Sequence, residues 1–326
     1  MRSFGTLLAR WLSTRCPEAR RSSRPGLSWG ASPMIMITGS TGFVGGHLTR
    51  RLMREGLPLR LLVRRSGVCP AEAQEAVGDI ADPASLAAAV RGVDTVIHLV
   101  GIIREQPGAT FQSVHVDGTR NVLSAAVRAH VTRFIYVSAL GTGPNARSEY
   151  HKTKWQAEEL VRASGLRHLI LRPSIIYGPG DGFVSMLLGM LRLLPVVPVP
   201  GSGQTPMQPI WVGDVAEAIA RALADPSLWN STWEIGGPEQ LTYNELLQTV
   251  AEVAKVRKPI VHIPIMFVRP ATALMQHLPG FPLTSDQLAM LQEPNTCDPD
   301  TLPSRFAITP VRFRDGLASY LAPQAT

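Results

Sequence analysis

The sequence predicts an α/β protein with a doubly wound parallel sheet and a smaller C-terminal domain. Short apolar segments, typical of fully buried parallel strands, alternate with segments whose apolar residues recur at helical spacing. Four such strand–helix units follow one another with short links, which specifies a parallel sheet with helices on both faces. A chain of 326 residues can form this domain and a smaller one. We assign 34–182 to the main domain and 183–326 to a second region that also returns elements to the main sheet.

Residues 1–33 are excluded from this fold because their composition differs from that of the remaining chain. They contain six arginines and several serines but a single acidic residue, Glu18. Such a composition fits an organellar transit peptide, which would direct the protein to the mitochondrial matrix. The alternative is an extension without a structural role, since Met34 or Met36 could begin the first strand directly. The protein would then be cytoplasmic.

Charge and cysteine content exclude several classes of function. The formal net charge is +7, but the chain after residue 33 holds 26 Lys and Arg against 24 Asp and Glu. We therefore expect no nucleic-acid partner. Cys16, Cys69 and Cys297 are scattered without metal-ligand spacing, which predicts no metal site and a reducing compartment.

The most apolar window of the chain, 183–200, does not qualify as a membrane span. It contains Arg192 and is interrupted by Gly and Pro residues. A buried or surface-docking helix is expected there, with peripheral membrane contact as the alternative.

A glycine-rich turn follows the first predicted strand, 34–37, and precedes a helix that begins at Phe43. Gly39, Gly42 and Gly45 have the spacing that lets the turn be tight, the backbone approach a pyrophosphate and the helix pack closely on the strand. The N-terminus of the helix then offers free N–H groups to phosphate. We predict that the turn binds a dinucleotide through Gly39, Ser40, Thr41, Gly42, Phe43, Val44 and Gly45.

The end of the second predicted strand, 57–63, indicates which dinucleotide is bound. Recognition of the ribose is expected about 20 residues beyond the glycines, and Arg64 is found there. An acidic residue would hold the ribose hydroxyls of NAD, whereas an arginine can pair with a 2′-phosphate. We therefore favour NADP(H) over NAD(H), and the alternative is a solvent-facing arginine at a strand end.

The ends of the third and fourth predicted strands, 76–80 and 93–100, should also face the cofactor. Asp79 could accept a hydrogen bond from the adenine amino group. Its alternative role is to cap the next helix, for which Asp82 is better placed. A glycine after the fourth strand lets ribose and phosphate lie against backbone. From these ends we expect cofactor contacts by Asp79, Ile80, Leu99, Val100 and Gly101.

Tyr150 and Lys154 are the candidates for chemistry. They are four residues apart in a helical segment, so their side chains share one helix face. A phenol is a poor acid or base at neutral pH, but a neighbouring ammonium should lower its pKa and make it a usable proton donor or acceptor. Lys154 could also hold the nicotinamide ribose. Ser138, at the end of the predicted strand 134–137, could hydrogen-bond a substrate carbonyl or hydroxyl.

This combination resembles the short-chain dehydrogenase/reductase superfamily from Met34 to about Tyr320. The resemblance implies a Rossmann fold and hydride transfer to or from C4 of nicotinamide, with Tyr150 as acid or base, Lys154 as its partner and Ser138 as substrate anchor. The segment 169–181, LILRPSIIYGPGD, is similar to the extended branch, in which Pro173 and Ile176 would touch the cofactor.

One position departs from the pattern of that branch. His115 stands in HVDGT where the branch often has Asn, and we expect a structural role for this histidine.

Two shorter segments narrow the resemblance. PLTSDQLAMLQEPNTCDPDTL near the C-terminus and His98-Leu99-Val100-Gly101 are similar to a bacterial subgroup related to alpha-subcomplex subunit nine of respiratory complex I, an accessory NADPH-binding subunit. Two functions follow as hypotheses. One is an oxidoreductase or epimerase-like enzyme acting on a small carbonyl, quinone-like or sugar-linked substrate. The other is a non-catalytic NADPH-binding or assembly subunit that associates with a respiratory complex, peripheral at the inner membrane.

The region after residue 182 is expected to form the substrate-binding side of the protein. Its sequence contains little that identifies the substrate. Arg192 is the only basic residue between 183 and 205, so no charged clamp for a nucleotide-sugar diphosphate is predicted. An apolar substrate is therefore favoured over a sugar nucleotide. The segment 259–282, rich in Met, Phe and Pro, is expected to pack onto the main domain, with a wall of an apolar pocket as the alternative.

Overall fold

The structure, a computed structural model, describes residues 33–276 and 283–321. The extension predicted over 1–33 therefore lies almost entirely outside the described residues. In the described ranges the strands are, in chain order, β1 Ile35–Thr38, β2 Leu59–Val63, β3 Gln74–Val77, β4 Thr95–His98, β5 Arg133–Val137, β6 Arg167–Pro173, β7 Ile176–Tyr177, β8 Val197–Pro200, β9 Pro206–Met207, β10 Ile210–Trp211, β11 Ser231–Ile235, β12 Leu241–Thr242 and β13 Ile260–Ile263.

The helices connect these strands and cover the sheet. Within the same residues they are α1 Phe43–Met53, α2 Pro83–Ala89, α3 Gly118–Arg128, α4 Glu149–Ala163, α5 Gly182–Leu193, α6 Val212–Ala224, α7 Tyr243–Val253, α8 Ile265–Met275, α9 Ser285–Leu291, α10 Thr301–Phe306 and α11 Phe313–Leu321. A π-helical turn, Gln112–Asp117, leads directly into α3.

Seven strands form one parallel sheet in the spatial order β11-β6-β5-β4-β1-β2-β3. The order reverses at β1, which pairs with β2 on one side and with β4 on the other. A crevice opens outside the carboxyl ends of the strands at such a reversal, and ligands of open α/β sheets bind there. The predicted doubly wound parallel sheet is confirmed.

Two apolar clusters stabilise the structure. The first lies between the main sheet and helices α2, α3 and α4, and includes Met36, Val122 and Phe134, each fully buried. The second joins α5, α7 and α11 with the short strands β8 and β9 around Tyr177 and Phe313. The second region also returns to the sheet, because β11 pairs with β6 and α6 packs on α1. The boundary at residue 182 stays a prediction.

Several element boundaries differ from the predicted ones. Strand β3 ends at Val77, so Asp79 and Ile80 lie in the loop that leads to α2 and not in the strand. The physical reason is a local turn, in which the Asp79 amide donates to Ser85 Oγ over 3.1 Å. Strand β4 is also shorter than predicted, since it ends at His98. Asp82 caps α2 as predicted, accepting from the Ala84 amide over 3.0 Å.

Adjacent glycines in α1 test how tightly this helix packs. A Cβ added at Gly45 would lie 2.1 Å from the Gly39 carbonyl oxygen, whereas at Gly46 the nearest atom would be 4.0 Å away. We expect Gly45→Ala to lower the free energy of unfolding by about 2 kcal/mol, because backbone atoms must shift. The matched control Gly46→Ala should be neutral or stabilising by about 0.5 kcal/mol through helix propensity. Urea unfolding measures both, and equal effects would contradict the packing.

Candidate cofactor and active site

The turn after β1 forms a cradle of backbone with little side chain. Gly39 has a φ of +75°, and a Cβ there would lie 3.1 Å from Leu99 C and from Val100 N. The Gly42 amide donates to the Gly39 carbonyl over 3.0 Å, which closes the turn. Gly42 precedes α1 without a side-chain cap, so the first amides of the helix are available to an anion. The predicted glycine roles match this geometry.

Ser40 supplies an independent sign of a ligand at this turn. Its hydroxyl is buried, and within residues 33–276 and 283–321 it has no hydrogen-bond partner. A buried hydroxyl without a partner is unfavourable, and a phosphate oxygen would satisfy it. Thr41 is exposed beside it, while Phe43 and Val44 are half-buried at the start of α1. The predicted residues therefore fit the diphosphate of a dinucleotide.

Arg64 lies directly after β2 and is exposed. In the described part of the chain no ion pair or hydrogen bond engages its guanidinium, so it is available to a phosphate. Asp79 is half-buried, and its carboxylate accepts from the Ala81 amide over 2.9 Å. Ile80 packs against Gly118, where a Cβ would lie 2.4 Å from the Ile80 side chain. The loop that contains Asp79 and Ile80 is therefore ordered by local contacts.

Tyr150 and Lys154 lie on α4, which begins at its N-cap Ser148. The Lys154 ammonium is buried and donates to the Val137 carbonyl at the end of β5 over 2.9 Å. It also lies 4.8 Å from the centre of the Tyr136 ring. A Cβ at Gly101 would be 3.2 Å from Lys154 Nζ, so the glycine after β4 leaves space for this lysine. Lys152 points elsewhere and pairs with Glu149.

The pKa values differ from the sequence prediction. Burial raises the pKa of Tyr150 to about 12 and lowers the pKa of Lys154 to about 8, the latter opposed by Glu158. The expected lowering of the Tyr150 pKa by the lysine was wrong. Desolvation of the phenolate dominates, and Lys154 is directed to the Val137 carbonyl. At neutral pH the pair is therefore a neutral phenol and an ammonium.

A cavity of about 310 Å³ opens beside this pair. Ser138 and Tyr150 line it from the main domain, and the Ser138 hydroxyl lies 3.5 Å from that of Thr142. None of the described residues that line the cavity is Lys or Arg, and most of its lining is apolar. The apolar lining residues are Ile103, Ala139, Leu140, Pro173, Ile175, Ile176, Phe183, Met186, Met207, Leu283, Met290, Leu291 and Pro294.

Helix α9 closes the cavity, and sequence reasoning missed it. Gln287, Met290 and Leu291 line the cavity from this helix. Asp286, at its start, accepts from the Glu149 and Tyr150 amides over 2.8 and 3.2 Å, which joins α9 to the N-terminus of α4. The Thr-Ser-Asp-Gln sequence at 284–287 is a capping box and could have predicted the helix.

Two histidines lie next to Tyr150. His115 contacts Thr153 through Nδ1 over 3.0 Å and the Ile102 backbone through Nε2 over 3.1 Å, which fits the expected structural role. His151 lines the cavity, and its Nδ1 lies 2.9 Å from the Ser148 hydroxyl. Burial lowers the pKa of both imidazoles, so both are neutral at neutral pH.

The described residues contain no group of three or more His, Cys, Asp or Glu that could hold a metal ion. No helix within them is long and apolar enough to cross a membrane.

The segment 259–282 does not follow its prediction where it is described. Up to residue 276 it neither lines the cavity nor buries its apolar side chains on the main domain, since Met266 and Phe267 are exposed.

Comparison with known proteins identifies relatives that include a reductase and a respiratory-chain subunit. A ceramide reductase of Caulobacter vibrioides is 33% identical over 249 residues, which are 75% of this chain and 78% of that protein. NADH dehydrogenase (ubiquinone) 1 alpha subcomplex subunit 9 of Arabidopsis thaliana mitochondria is 29% identical over 294 residues, covering 86% and 72%.

A solved structure has the same fold. It is a nucleoside-diphosphate-sugar epimerase of Staphylococcus aureus, 19% identical, with a TM-score of 0.72 over 87% of this chain and 99% of that one. The model of the NAD dependent epimerase/dehydratase family matches residues 35–236, which contain the glycine turn, Tyr150 and Lys154. The resemblance to the extended dehydrogenases is thereby confirmed, and the chain belongs to the NAD dependent epimerase/dehydratase family.

Proposed function

We propose that this protein is an NADP(H)-dependent oxidoreductase that reduces a carbonyl group of an apolar, lipid-like substrate. The observation that carries this proposal is the cavity, whose wall combines the hydroxyls of Ser138 and Tyr150 with a largely apolar lining. Polar groups that converge in an apolar pocket are the usual arrangement of a small-molecule site. The family match supports the nicotinamide chemistry.

The cofactor would be held at the reversal of strand order. The turn from Gly39 to Gly45 would bind its diphosphate, and Lys154 beneath Gly101 would reach its nicotinamide ribose. When bound, the nicotinamide would supply a hydride. The chain itself would orient the substrate oxygen and provide a proton.

Tyr150 is suited to that proton transfer in the direction of reduction. With a pKa raised to about 12 the phenol is protonated at neutral pH and can donate to a carbonyl oxygen as negative charge develops there. Ser138 would donate a hydrogen bond to the same oxygen.

The lining of the cavity favours an apolar substrate over a sugar nucleotide. The cavity offers the diphosphate of a sugar nucleotide no cationic side chain, because none of the described lining residues is Lys or Arg. The name of the Caulobacter relative, a ceramide reductase, describes reduction of a lipid. Quinone-like and sugar-linked substrates stay hypotheses that a substrate panel would test.

A second candidate function is a non-catalytic NADPH-binding subunit of a respiratory NADH:quinone oxidoreductase. It is favoured by the mitochondrial relative from Arabidopsis, which matches 86% of this chain. The high pKa of Tyr150 also fits this role, because a phenol whose pKa lies far above neutral pH is an inefficient acid. Such a subunit would work at the inner membrane, in the bacterial cytoplasm or the mitochondrial matrix.

The NADP(H) preference is tested by reversing the charge at Arg64. We expect Arg64→Asp in the full chain to weaken NADPH binding about 100-fold, because an exposed cation that pairs with a 2′-phosphate becomes repulsive. NADH binding should change much less. Arg91→Asp is the matched control. Arg91 is also exposed, but it precedes β4 and therefore lies towards the amino ends of the strands, away from the carboxyl ends where the cofactor would bind. Fluorescence titration measures both cofactors, and equal affinities of the wild type would contradict the preference.

Catalysis is tested by removing the Tyr150 hydroxyl. We expect Tyr150→Phe to lower kcat/KM for a lipid-like ketone or aldehyde by about 10²–10⁴-fold, while NADPH affinity changes little. Tyr243→Phe is the matched control, because burial raises the pKa of Tyr243 to about 12 as well, but this residue lies in the C-terminal core. Turnover that survives in Tyr150→Phe would contradict the assigned acid. NADPH binding without turnover across the panel would favour the non-catalytic subunit.

A further inference from the structure

Helix α8 exposes apolar side chains that a helix of this composition normally buries. Thr272 is the only buried side chain of this helix, whereas Met266, Phe267 and Leu274 are 71%, 61% and 81% exposed. Apolar helices of globular proteins face a core, and large contiguous apolar surfaces on proteins mark interaction sites. The exposure of α8 therefore marks this helix as a candidate interaction surface.

Neighbouring elements extend this exposed surface. Strand β13 leads directly into α8 and pairs with β8, which follows the end of α5. Leu193 at the end of α5 is 83% exposed. We call the exposed apolar side chains of these adjoining elements the apolar face, which consists of Leu193, Leu194, Val196, Ile260, Val261, Met266, Phe267, Leu274 and Met275.

The segments that carry the apolar face contain basic residues and no acidic ones. The sequence has no Asp or Glu from 182 to 213 or from 253 to 285. None of the basic residues in the described parts of these segments takes part in an ion pair with another described residue. They are Arg192, Lys255, Arg257, Lys258 and Arg269. The rest of the chain after residue 33 mixes both signs, so the excess of positive charge is local.

Two helices extend from the cavity to the elements that carry the apolar face. Helix α5 lines the cavity at its start, through Phe183 and Met186, and reaches the apolar face at Leu193. Helix α9 lines the cavity and packs against α8. Both walls on the C-terminal side of the cavity therefore lead to the exposed surface.

We propose that the apolar face docks the protein on the surface of an anionic lipid bilayer. Exposed apolar side chains would enter the boundary between headgroups and acyl chains, and the cations of the same segments would pair with anionic headgroups. A second copy fits less well, because a symmetric contact would bring the same cations together. Resting on the proposed function, docking would also place the cavity where an apolar carbonyl compound can enter from the lipid.

Vesicle flotation of the full chain tests the docking. We expect binding to phosphatidylcholine vesicles that contain phosphatidylglycerol, little binding to phosphatidylcholine alone, and loss of binding at high salt. The double substitution Phe267→Ser and Leu274→Ser should reduce binding about tenfold or more, since both exposed side chains would leave the lipid. Val68→Ser with Val127→Ser is the control, because these side chains are 52% and 44% exposed outside the apolar face.

Three outcomes would overturn the docking. They are the absence of wild-type binding to either vesicle, equal binding by the Phe267 and Leu274 variant, and a concentration-dependent dimer that this variant abolishes. NADPH affinity and turnover of a water-soluble carbonyl are measured on the same variants and should be unchanged. Loss of docking with intact turnover leaves the proposed function in place. Docking by a protein that turns over no carbonyl compound contradicts the proposed function alone.

Discussion

The close contact between α1 and the turn after β1 is the constraint on which the rest of the site depends. Gly45 brings the helix so near the Gly39 carbonyl that a methyl group has no room. This contact fixes the N-terminus of α1 at the point where the strand order reverses. Gly39 in turn lies against the backbone of Leu99 and Val100, which joins the turn to the end of β4. The backbone contacts that shape the glycine turn therefore also set the position of the end of β4 and of Gly101.

Burial sets the chemistry on the other side of the crevice. Lys154 keeps its charge at neutral pH because Glu158 opposes the lowering of its pKa by burial, and its ammonium donates to the Val137 carbonyl beside the Tyr136 ring. The same burial holds Tyr150 as a neutral phenol. A phenol in this form can donate a proton. Burial also limits the acid strength of Tyr150, and for this reason an accessory role competes with an enzymatic one.

Sequence reasoning succeeded where the relevant spacing is local. The glycine turn, the Tyr150–Lys154 pair and the Asp82 cap each depend on residues within about one or two helical turns, and the structure contains all three. It failed where distant segments meet. Asp286 binds amides 136 and 137 residues away, and no local pattern indicates that contact. The Tyr150 pKa was misjudged for the same reason, because burial depends on the tertiary packing around the side chain.

The C-terminal region shows a further limit of composition. An apolar segment is normally a buried one, so 259–282 was expected to pack onto the main domain. Helix α8 is instead exposed, and helix α9, which carries Gln287 and Met290, forms the wall of the cavity. Asp286 joins α9 to the N-terminus of α4 beside the cavity, and this contact lies beyond the reach of a local sequence pattern.

Transfer of deuterium from C4-labelled NADPH to lipid-like ketones and aldehydes, followed by mass spectrometry, tests the central claim most directly. We expect the full-length protein to give alcohol products that contain one deuterium on the former carbonyl carbon. Labelled NADPH that stays bound and unoxidised, with no labelled product from any member of the panel, would contradict the reductase and leave the cofactor with a structural role.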